Sequence, residues 1–281
     1  MKKVVLLVAL LLSSLTFQSQ IVTPQPSPKC VLNQMVGLTD VEVEYSRPGL
    51  KGRNIFGDLV PFGKVWRTGA NSNSTISFSE DVIIDGKTLK KGKYALFTVP
   101  KVESWEVIFY SKTDNWGNPE VWNESDVAVR ATVVPQMLNR VVENFTIDIN
   151  NLDNNFGYLN ISWEKTLVSL KFEVPTQKMA MASIDKIMAG PSAGDYFSAA
   201  QFYLQSNGEM TKALTYVNKA LELNKATPYW YTKLKSLIQA KLGDKKGAIE
   251  TAKISLAAAK EAKNMDYVKM NEDNIAEWSK K

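Results

Sequence analysis

Three of the chain's five arginines fall within 21 positions, in a segment that is rich in glycine and proline. A loop arginine presents a planar fork of N–H donors that pairs with a carboxylate, phosphate or sulfate, and loops on a rigid scaffold often carry such groups. A neighbouring indole adds a flat face on which a sugar ring or a guanidinium can stack. The segment therefore predicts a site for a small anionic or glycan ligand. The candidate residues are Arg47, Arg53, Trp66, Arg67, Asn71 and Asn73.

The same residues have an equally physical structural interpretation. Arginines can hold long loops in place by donating to backbone carbonyls, a tryptophan can fill a core, and glycines can serve turns. Clustering in sequence does not establish convergence in space, so both interpretations stay open. If the three guanidinium groups converge on a pocket with Trp66 as its floor and Asn71 at its rim, they need anionic partners, because an unpaired buried charge is costly. The partner is either a bound ligand or a protein carboxylate, and the nearest carboxylates in sequence are Asp58, Glu42 and Glu44.

Composition removes most kinds of catalytic site. The sequence contains no histidine, which excludes histidine general bases, Ser-His and Cys-His nucleophiles and histidine-ligated metals. Its single cysteine, Cys30, excludes intrachain disulfides and thiolate metal clusters. We therefore predict no catalytic residue, no metal and no cofactor. A carboxylate-dependent hydrolase such as a glycosidase is the alternative. It needs two carboxylates roughly 5–10 Å apart, and only Asp58 lies within the arginine segment.

Two further polar segments each have two interpretations. The run Asn115-Trp-Gly-Asn-Pro119, together with Trp122, is either an aromatic platform for a sugar or packing at the edge of a core. The oxygen-rich run from Asp148 to Asn155 is either a calcium loop or a hairpin loop. It lacks the glycine and the distal glutamate of an EF-hand, which favours the hairpin loop.

The elements that must position the arginine segment have the pattern of strands. Val41 to Tyr45 alternates apolar and acidic residues, as a half-buried strand does. Asp85-Gly86 is a two-residue hairpin signal. Turn signals recur about every 8–12 residues, a spacing typical of an antiparallel β-sandwich or jelly-roll. We predict such a domain over residues 27–175. Its other predicted strands are 76–78, 82–84, 88–89, 94–99, 105–110, 127–133, 145–149, 158–163 and 168–174.

After Pro175 the hydrophobic period changes from 2 to 3.6, which predicts a helical domain over residues 176–281. Within it, Gly208-Glu209 is followed 35 residues later by Gly243-Asp244, and small residues recur at the same interval. This spacing resembles tetratricopeptide repeats, whose period is about 34. A generic helical hairpin bundle is the alternative. A repeat domain of this kind presents a groove that suits a protein partner.

The amino terminus predicts export. Lys2 and Lys3 precede an unbroken apolar run from Val4 to Leu12, which is too short to span a bilayer. We interpret residues 1–20 as a secretory signal peptide and expect a soluble periplasmic or secreted protein without a membrane span. The 16 lysines after residue 175 are interspersed with 11 acidic residues at helical spacing. Because neither a basic run nor arginine–aromatic interleaving occurs, we expect no nucleic-acid partner.

A series of short motifs gives the segment from Cys30 to Val174 a resemblance to a known family. The motifs, in order, are Ser27-Pro-Lys-Cys30, Tyr45-Ser-Arg-Pro-Gly49, Lys51-Gly-Arg53, Ile55-Phe56-Gly57, Leu59-Val-Pro61, Val65-Trp-Arg-Thr-Gly-Ala-Asn71, Gly92-Lys-Tyr94, Trp105-Glu-Val-Ile-Phe109 and Asn115-Trp-Gly117. The segment resembles the family catalogued as domain of unknown function 2911, found mainly in exported proteins of Bacteroidota. The resemblance implies an exported β-rich domain, often followed by a helical tail, and it supplies no catalytic residues.

These observations predict a multidomain protein that is all-β and then all-α. An antiparallel β-sandwich or jelly-roll-like domain is followed by a tetratricopeptide-like helical repeat domain. The predicted function is that of an exported, non-catalytic binding or scaffolding protein. Its β domain is expected to hold a small anionic or glycan ligand, and its helical repeat is expected to bind a protein partner.

Overall fold

The computed structural model describes residues 23–187, 190–224 and 226–280. The predicted signal peptide, residues 1–20, lies outside the described residues. The described chain forms two compact units, a β unit that ends at Glu173 and a helical unit that begins at Val174. The fold class predicted from the sequence, an antiparallel β domain followed by helices, is confirmed.

The described residues of the β unit contain ten strands in two antiparallel sheets. The first sheet consists of β1 (Lys29–Val36), β2 (Thr39–Ser46), β3 (Ser74–Phe78), β6 (Gly92–Pro100), β7 (Trp105–Tyr110) and β8 (Val127–Val133), hydrogen-bonded in that order. The second sheet consists of β5 (Lys87–Leu89), β4 (Val82–Ile84), β10 (Phe156–Glu173) and β9 (Gln136–Asn150), again in bonding order.

Aromatic side chains join the two sheets face to face. Phe78 on β3 meets Phe172 on β10 with ring centroids 5.5 Å apart, and Tyr45 on β2 meets Phe145 on β9 at 5.8 Å. β2 alternates as predicted, with every second residue buried. The apolar inner faces of both sheets are thus removed from water, and this burial is the main stabilisation of a sandwich.

Two hairpins of the second sheet follow from their turn residues. Asp85 and Gly86 have positive φ values of 50° and 72°, as a two-residue type I′ turn requires, and they join β4 to β5 as predicted. The 148–155 run forms the end of β9 and the hairpin loop, residues 151–155, that leads to β10. Its Asp148 carboxylate accepts a hydrogen bond from the Asn160 amide (2.9 Å). No group of three His, Cys, Asp or Glu side chains suited to a metal ion occurs among the described residues.

Three strands differ from the sequence prediction. The sequence does not predict β1, because its exposed positions include Val31 and Met35 and the strand shows no apolar–polar alternation. β9 begins nine residues earlier than predicted. The sequence does not indicate this first part as a strand, because residues 136–144 are at least partly exposed on both faces. β10 unites two predicted strands. Register shifts on both sides of Glu164 let it continue through a polar stretch that resembles a turn in the sequence.

The described helical unit contains six helices, and its internal repeat is visible in their turns. The helices are α1 (Thr176–Ile187), α2 (Ala193–Gln205), α3 (Met210–Leu223), α4 (Tyr229–Lys241), α5 (Lys245–Glu261) and α6 (Met265–Trp278). The two Gly-acid pairs lie between α2 and α3 and between α4 and α5. Ala213 and Ala248, related by the 35-residue shift, are both fully buried. Whether the hairpins form a tetratricopeptide-type repeat stays a prediction. None of the described helices combines the length and hydropathy of a transmembrane segment.

Candidate anion-binding site

The arginine segment, residues 47–73, connects β2 to β3. Its first turn is held in place by β9. The Arg47 guanidinium donates from Nε to the Phe145 carbonyl (3.1 Å) and from Nη2 to Thr146 Oγ1 (2.8 Å). The backbone adds a hydrogen bond from Leu50 N–H to the Glu143 carbonyl (2.7 Å). These contacts attach the beginning of the segment to the outer edge of β9.

Trp66 is fixed further along the segment by both sheets. Its backbone N–H and carbonyl pair with Thr98 of β6 at 2.8 and 2.9 Å. Its indole stacks on Trp163 of β10, with ring centroids 6.0 Å apart and an interplanar angle of 17°. The indole Nε1 donates to the Gly69 carbonyl (3.1 Å). Because Trp163 is almost fully buried, the stacked pair has little freedom to move.

The backbone turns sharply after Arg67. Thr68 and Asn71 have φ values of 55° and 61°, and Gly69 between them has a φ of 150°. Positive φ is unusual for a β-branched residue. Thr68 is buried in this conformation, with its hydroxyl 3.1 Å from Thr98 Oγ1. Strained positions of this kind persist only where surrounding contacts enforce them, and they concentrate at functional sites.

A cavity of about 460 Å³ lies beside this turn. Its size is within the usual range for ligand pockets, about 300–1,000 Å³. Three cationic side chains line it, and the stacked indoles form its apolar floor. None of the described residues that line it is an aspartate or a glutamate. We call this site the cationic pocket, formed by Lys51, Arg53, Trp66, Arg67 and Trp163.

The cations of the cationic pocket have no anionic partner in the described chain. Neither Lys51, Arg53 nor Arg67 forms a salt bridge with a described carboxylate. Arg53 donates to two carbonyls of its own loop, those of Leu50 (3.1 Å) and Gly49 (2.6 Å). The Arg67 Nε is buried and has no hydrogen-bond partner among the described residues. A buried donor on a cation is costly when it stays unpaired. Because Arg67 also lines the cavity, an anion bound there would compensate the charge of its guanidinium.

None of the three acidic residues near the arginines in sequence, Glu42, Glu44 and Asp58, lines the cationic pocket. Glu44 forms an ion pair with Lys29 (2.8 Å), and the hydrogen bond from Lys29 lowers the pKa of the Glu44 carboxyl. Asp58 is exposed and does not line the cationic pocket. Glu143 Oε1 accepts a hydrogen bond from the Lys51 backbone N–H (3.0 Å), which places one carboxylate next to the pocket. Two carboxylates facing each other across this cavity do not occur among its described lining residues.

Tyr45 is a further titratable group close to Arg47. Burial raises the pKa of the Tyr45 hydroxyl to about 12, and the neighbouring Cys30 thiol adds to the shift. The hydroxyl therefore stays protonated and donates to the Ile147 carbonyl (2.9 Å). Tyr45 thus joins β2 to β9.

The structure brings three of the six predicted site residues together in one cavity, namely Arg53, Trp66 and Arg67. It also adds two that the sequence prediction did not include. Lys51 belongs to the same glycine-rich segment, so its charge was a usable signal. Trp163 had no local signal, because only the packing of β10 against the first sheet brings it beneath Trp66.

The other predicted residues hold backbone in place and do not line the cavity. Arg47 donates to β9, as described above. The Asn71 amide donates to the Ser27 carbonyl and to Ser46 Oγ, both at 3.3 Å. Asn73 is 5% exposed, and its Oδ1 accepts a hydrogen bond from the Asn115 N–H (3.0 Å). For these three residues the structure therefore fits the alternative interpretation of the sequence, in which polar side chains hold loops in place.

The loop of residues 111–123, which follows β7, contains both tryptophans of the predicted aromatic platform. Trp122 packs against Phe97 and Tyr110, with ring centroids 5.4 and 4.7 Å apart, and so belongs to the edge of the core. Trp116 is 80% exposed and makes no comparable packing contact among the described aromatic residues. The two side chains therefore have different roles.

The model of one protein family, described as a protein of unknown function (DUF2911), matches residues 27–172. No curated protein and no solved structure matches the chain.

Proposed function

Because the chain belongs to the DUF2911 family, whose description assigns no function, we propose a function from the geometry of its own residues. The β unit is a non-catalytic binding module that holds a small anionic ligand in the cationic pocket. One observation carries the proposal: three cations that form no salt bridge among the described residues line a cavity together with a fixed pair of indoles. A guanidinium pairs with two oxygens of a carboxylate, phosphate or sulfate at once, and a nearby ammonium adds a further charge contact.

Binding is a better account of this cavity than hydrolysis. A glycosidase needs two carboxylates at a separation of roughly 5–10 Å. The described residues that line the cavity supply none, and Glu143 beside it is hydrogen-bonded to backbone. Arginine, lysine and tryptophan suffice to hold an anion, whereas they cannot serve as the acid and the nucleophile of glycoside hydrolysis.

The proposal includes a location and a second surface. We place the protein outside the cytoplasm, since residues 1–20 have the charge and hydropathy pattern of a signal peptide. We assign the helical unit to a protein partner. The support for this part is a set of exposed apolar side chains on its last three helices, which includes Trp230, Ile254 and Met265.

The first test is anion-dependent thermal stabilisation of the full chain, with sodium sulfate as the probe and sodium chloride at equal ionic strength as the reference. A ligand that binds only the folded state raises Tm. Because sulfate stabilises folded proteins in general, the difference between variants is the measure of binding. We expect sulfate to raise the Tm of the wild-type protein by more than it raises the Tm of Arg67→Ala. Without sulfate, the Tm of Arg67→Ala should equal or exceed that of wild type, because one of three mutually repelling cations is removed.

Two other arginine variants serve as references. Arg140 is exposed on β9 and does not line the pocket, so Arg140→Ala removes the same charge and should keep the sulfate response. Arg47→Ala should lower the Tm, because two hydrogen bonds to β9 are lost, and should also keep the response. The proposal fails if wild type and Arg67→Ala respond equally to sulfate and Arg67→Ala lowers the Tm without sulfate, because Arg67 then serves only the fold.

A further inference from the structure

Trp116 is a large aromatic side chain that is 80% exposed, in the 111–123 loop. Single exposed apolar residues are common on protein surfaces, so exposure alone indicates nothing. Two additional observations set Trp116 apart: the loop that carries it is held in place on both sides of the indole, and its neighbour Gly117 lies against Arg67, one of the residues that form the cationic pocket.

Hydrogen bonds to the arginine segment hold the loop. The Asn115 N–H donates to Asn73 Oδ1 (3.0 Å), and the Asn73 N–H donates to the Asn115 carbonyl (3.2 Å). On the other side of the indole, the Asn118 amide donates to the Val65 carbonyl (2.7 Å). These bonds bracket Trp116 within four positions. The backbone that presents it is therefore ordered before any ligand arrives, which lowers the entropic cost of binding.

Gly117 brings the loop that carries Trp116 close to Arg67 of the cationic pocket. Its backbone lies against the Arg67 guanidinium so closely that a Cβ at this position would be 3.2 Å from Arg67 Nη1. Its φ of 92° is one that residues with side chains rarely adopt. Trp116 is thus the residue next to the point of contact between the loop and the arginine that has a buried, unpaired Nε.

We propose that the ligand of the cationic pocket is an acidic sugar, a pyranose ring that carries a carboxylate, and that Trp116 stacks on this ring. The inference rests on the proposed anion site, because Arg67 is assigned to the carboxylate. One face of a pyranose presents mainly C–H groups, which pack well on an indole, while a guanidinium holds a carboxylate through two parallel hydrogen bonds. The sequence predicts an anionic or glycan ligand, and under this proposal Trp116 is the residue that contacts the sugar ring.

A nucleotide is the competing ligand, since a base also stacks on indole and a phosphate also pairs with arginine. Phosphate sites usually use backbone N–H groups at a helix N-terminus or in a glycine-rich loop before a helix. The residues that form the cationic pocket belong to a loop between two strands and to a strand of the second sheet. The predicted export also favours an acidic glycan, because such polymers lie outside the cytoplasm. The observations therefore favour the sugar.

Isothermal titration calorimetry of the full chain tests the inference, with galacturonate, glucose, acetate and adenosine monophosphate as probes. We expect galacturonate to bind more tightly than either glucose or acetate, since only it offers both a ring and a carboxylate. Trp116→Ala should weaken galacturonate binding roughly tenfold, the effect of losing about 1.4 kcal/mol of stacking. Trp116→Phe should recover most of the loss. Trp278→Ala, at a half-buried tryptophan of α6, is the control and should not change galacturonate binding.

The outcomes separate this inference from the proposed function. If sulfate stabilises the protein through Arg67 but galacturonate binds no better than acetate, or Trp116→Ala has no effect, the acidic-sugar assignment is overturned and the anion site stands. If adenosine monophosphate binds more tightly than galacturonate, the assignment is likewise overturned. If no anion binds, both fall. The acidic sugar can be part of a polysaccharide or a free monosaccharide, and a galacturonate oligomer distinguishes the two. Tighter binding of the oligomer than of the monomer indicates a polysaccharide, and equal binding indicates a free sugar.

Discussion

The three arginines of the 47–73 segment occupy three different environments. Arg47 donates to β9, and Arg53 donates to carbonyls of its own loop. Arg67 keeps a buried Nε without a partner among the described residues. A guanidinium carries five N–H donors and no acceptor, so each donor needs an accepting oxygen, such as that of a carboxylate, a carbonyl or a hydroxyl. Under the proposed function, Arg47 attaches the loop to β9 and Arg67 pairs with the ligand. Arg53 holds its own loop in place and also contacts the ligand.

Lys233 on α4 is a buried cation in the helical unit. It is 7% exposed, and its Nζ donates to the Met270 carbonyl (3.1 Å). Burial lowers the pKa of Lys233 to about 8, although Asp273 acts in the opposite direction. Below this pH the folded and unfolded chains both carry the proton, and the folded chain bears the full desolvation cost. As the pH rises from about 8 to the ordinary lysine pKa near 10.4, the unfolded chain binds more protons, so burial of Lys233 becomes less destabilising.

We therefore expect the wild-type protein to gain stability relative to Lys233→Met as the pH rises through this window, by at most about 1.4 kcal/mol per pH unit. Urea unfolding followed by circular dichroism at a wavelength dominated by helices measures the difference. Lys253→Met, at an exposed position of α5, is the matched control and should follow the wild-type curve. If the difference in the free energy of unfolding between wild type and Lys233→Met stays constant across this pH window, Lys233 is not the group that titrates.

At the scale of elements, a strand could be predicted from the sequence where one of its faces is buried and the other is exposed. β2 and the Asp85-Gly86 hairpin could be predicted, because alternation and turn residues are local properties of the sequence. The beginning of β9 could not, since residues 136–144 bury neither face. The arginine segment was predictable as a candidate site by residue type. Its floor was not, because Trp163 reaches Trp66 only through the packing of two sheets.

Gly117 determines how closely the 111–123 loop approaches Arg67. We expect Gly117→Ala to destabilise the protein by about 1–3 kcal/mol, because a side chain at this positive φ is strained. It should also weaken the sulfate response, since the added methyl group displaces the guanidinium. Gly86→Ala is the control: Gly86 has a φ of 72°, and a Cβ there would meet no atom within 4 Å. Measured by Tm with and without sulfate, equal responses in the two variants would contradict the role assigned to Gly117.

At the scale of the whole molecule, the period, the charge and the residue types all change near Pro175. Helix α1, which follows, has only Thr176 fully buried, and its Lys178 and Lys186 are exposed. We predict that limited trypsin digestion cuts first after one of these lysines and leaves a stable β fragment, as mass spectrometry of the products can show. Replacing both lysines by glutamine should delay this cut. First cleavage within residues 70–174 would instead contradict the predicted domains, 27–175 and 176–281.

The attachment of the arginine segment to β9 has a consequence for the order of folding. The Tyr45 hydroxyl and the Arg47 guanidinium find their acceptors 98 to 102 positions further along the chain. Closing so long a loop costs entropy before its contacts return any stabilisation, and topologies dominated by such contacts fold slowly. The cationic pocket also needs Trp163, so it cannot assemble until β9 and β10 have docked. Ligand recognition therefore depends on both sheets, and a chain in which the second sheet has not docked would lack the cationic pocket.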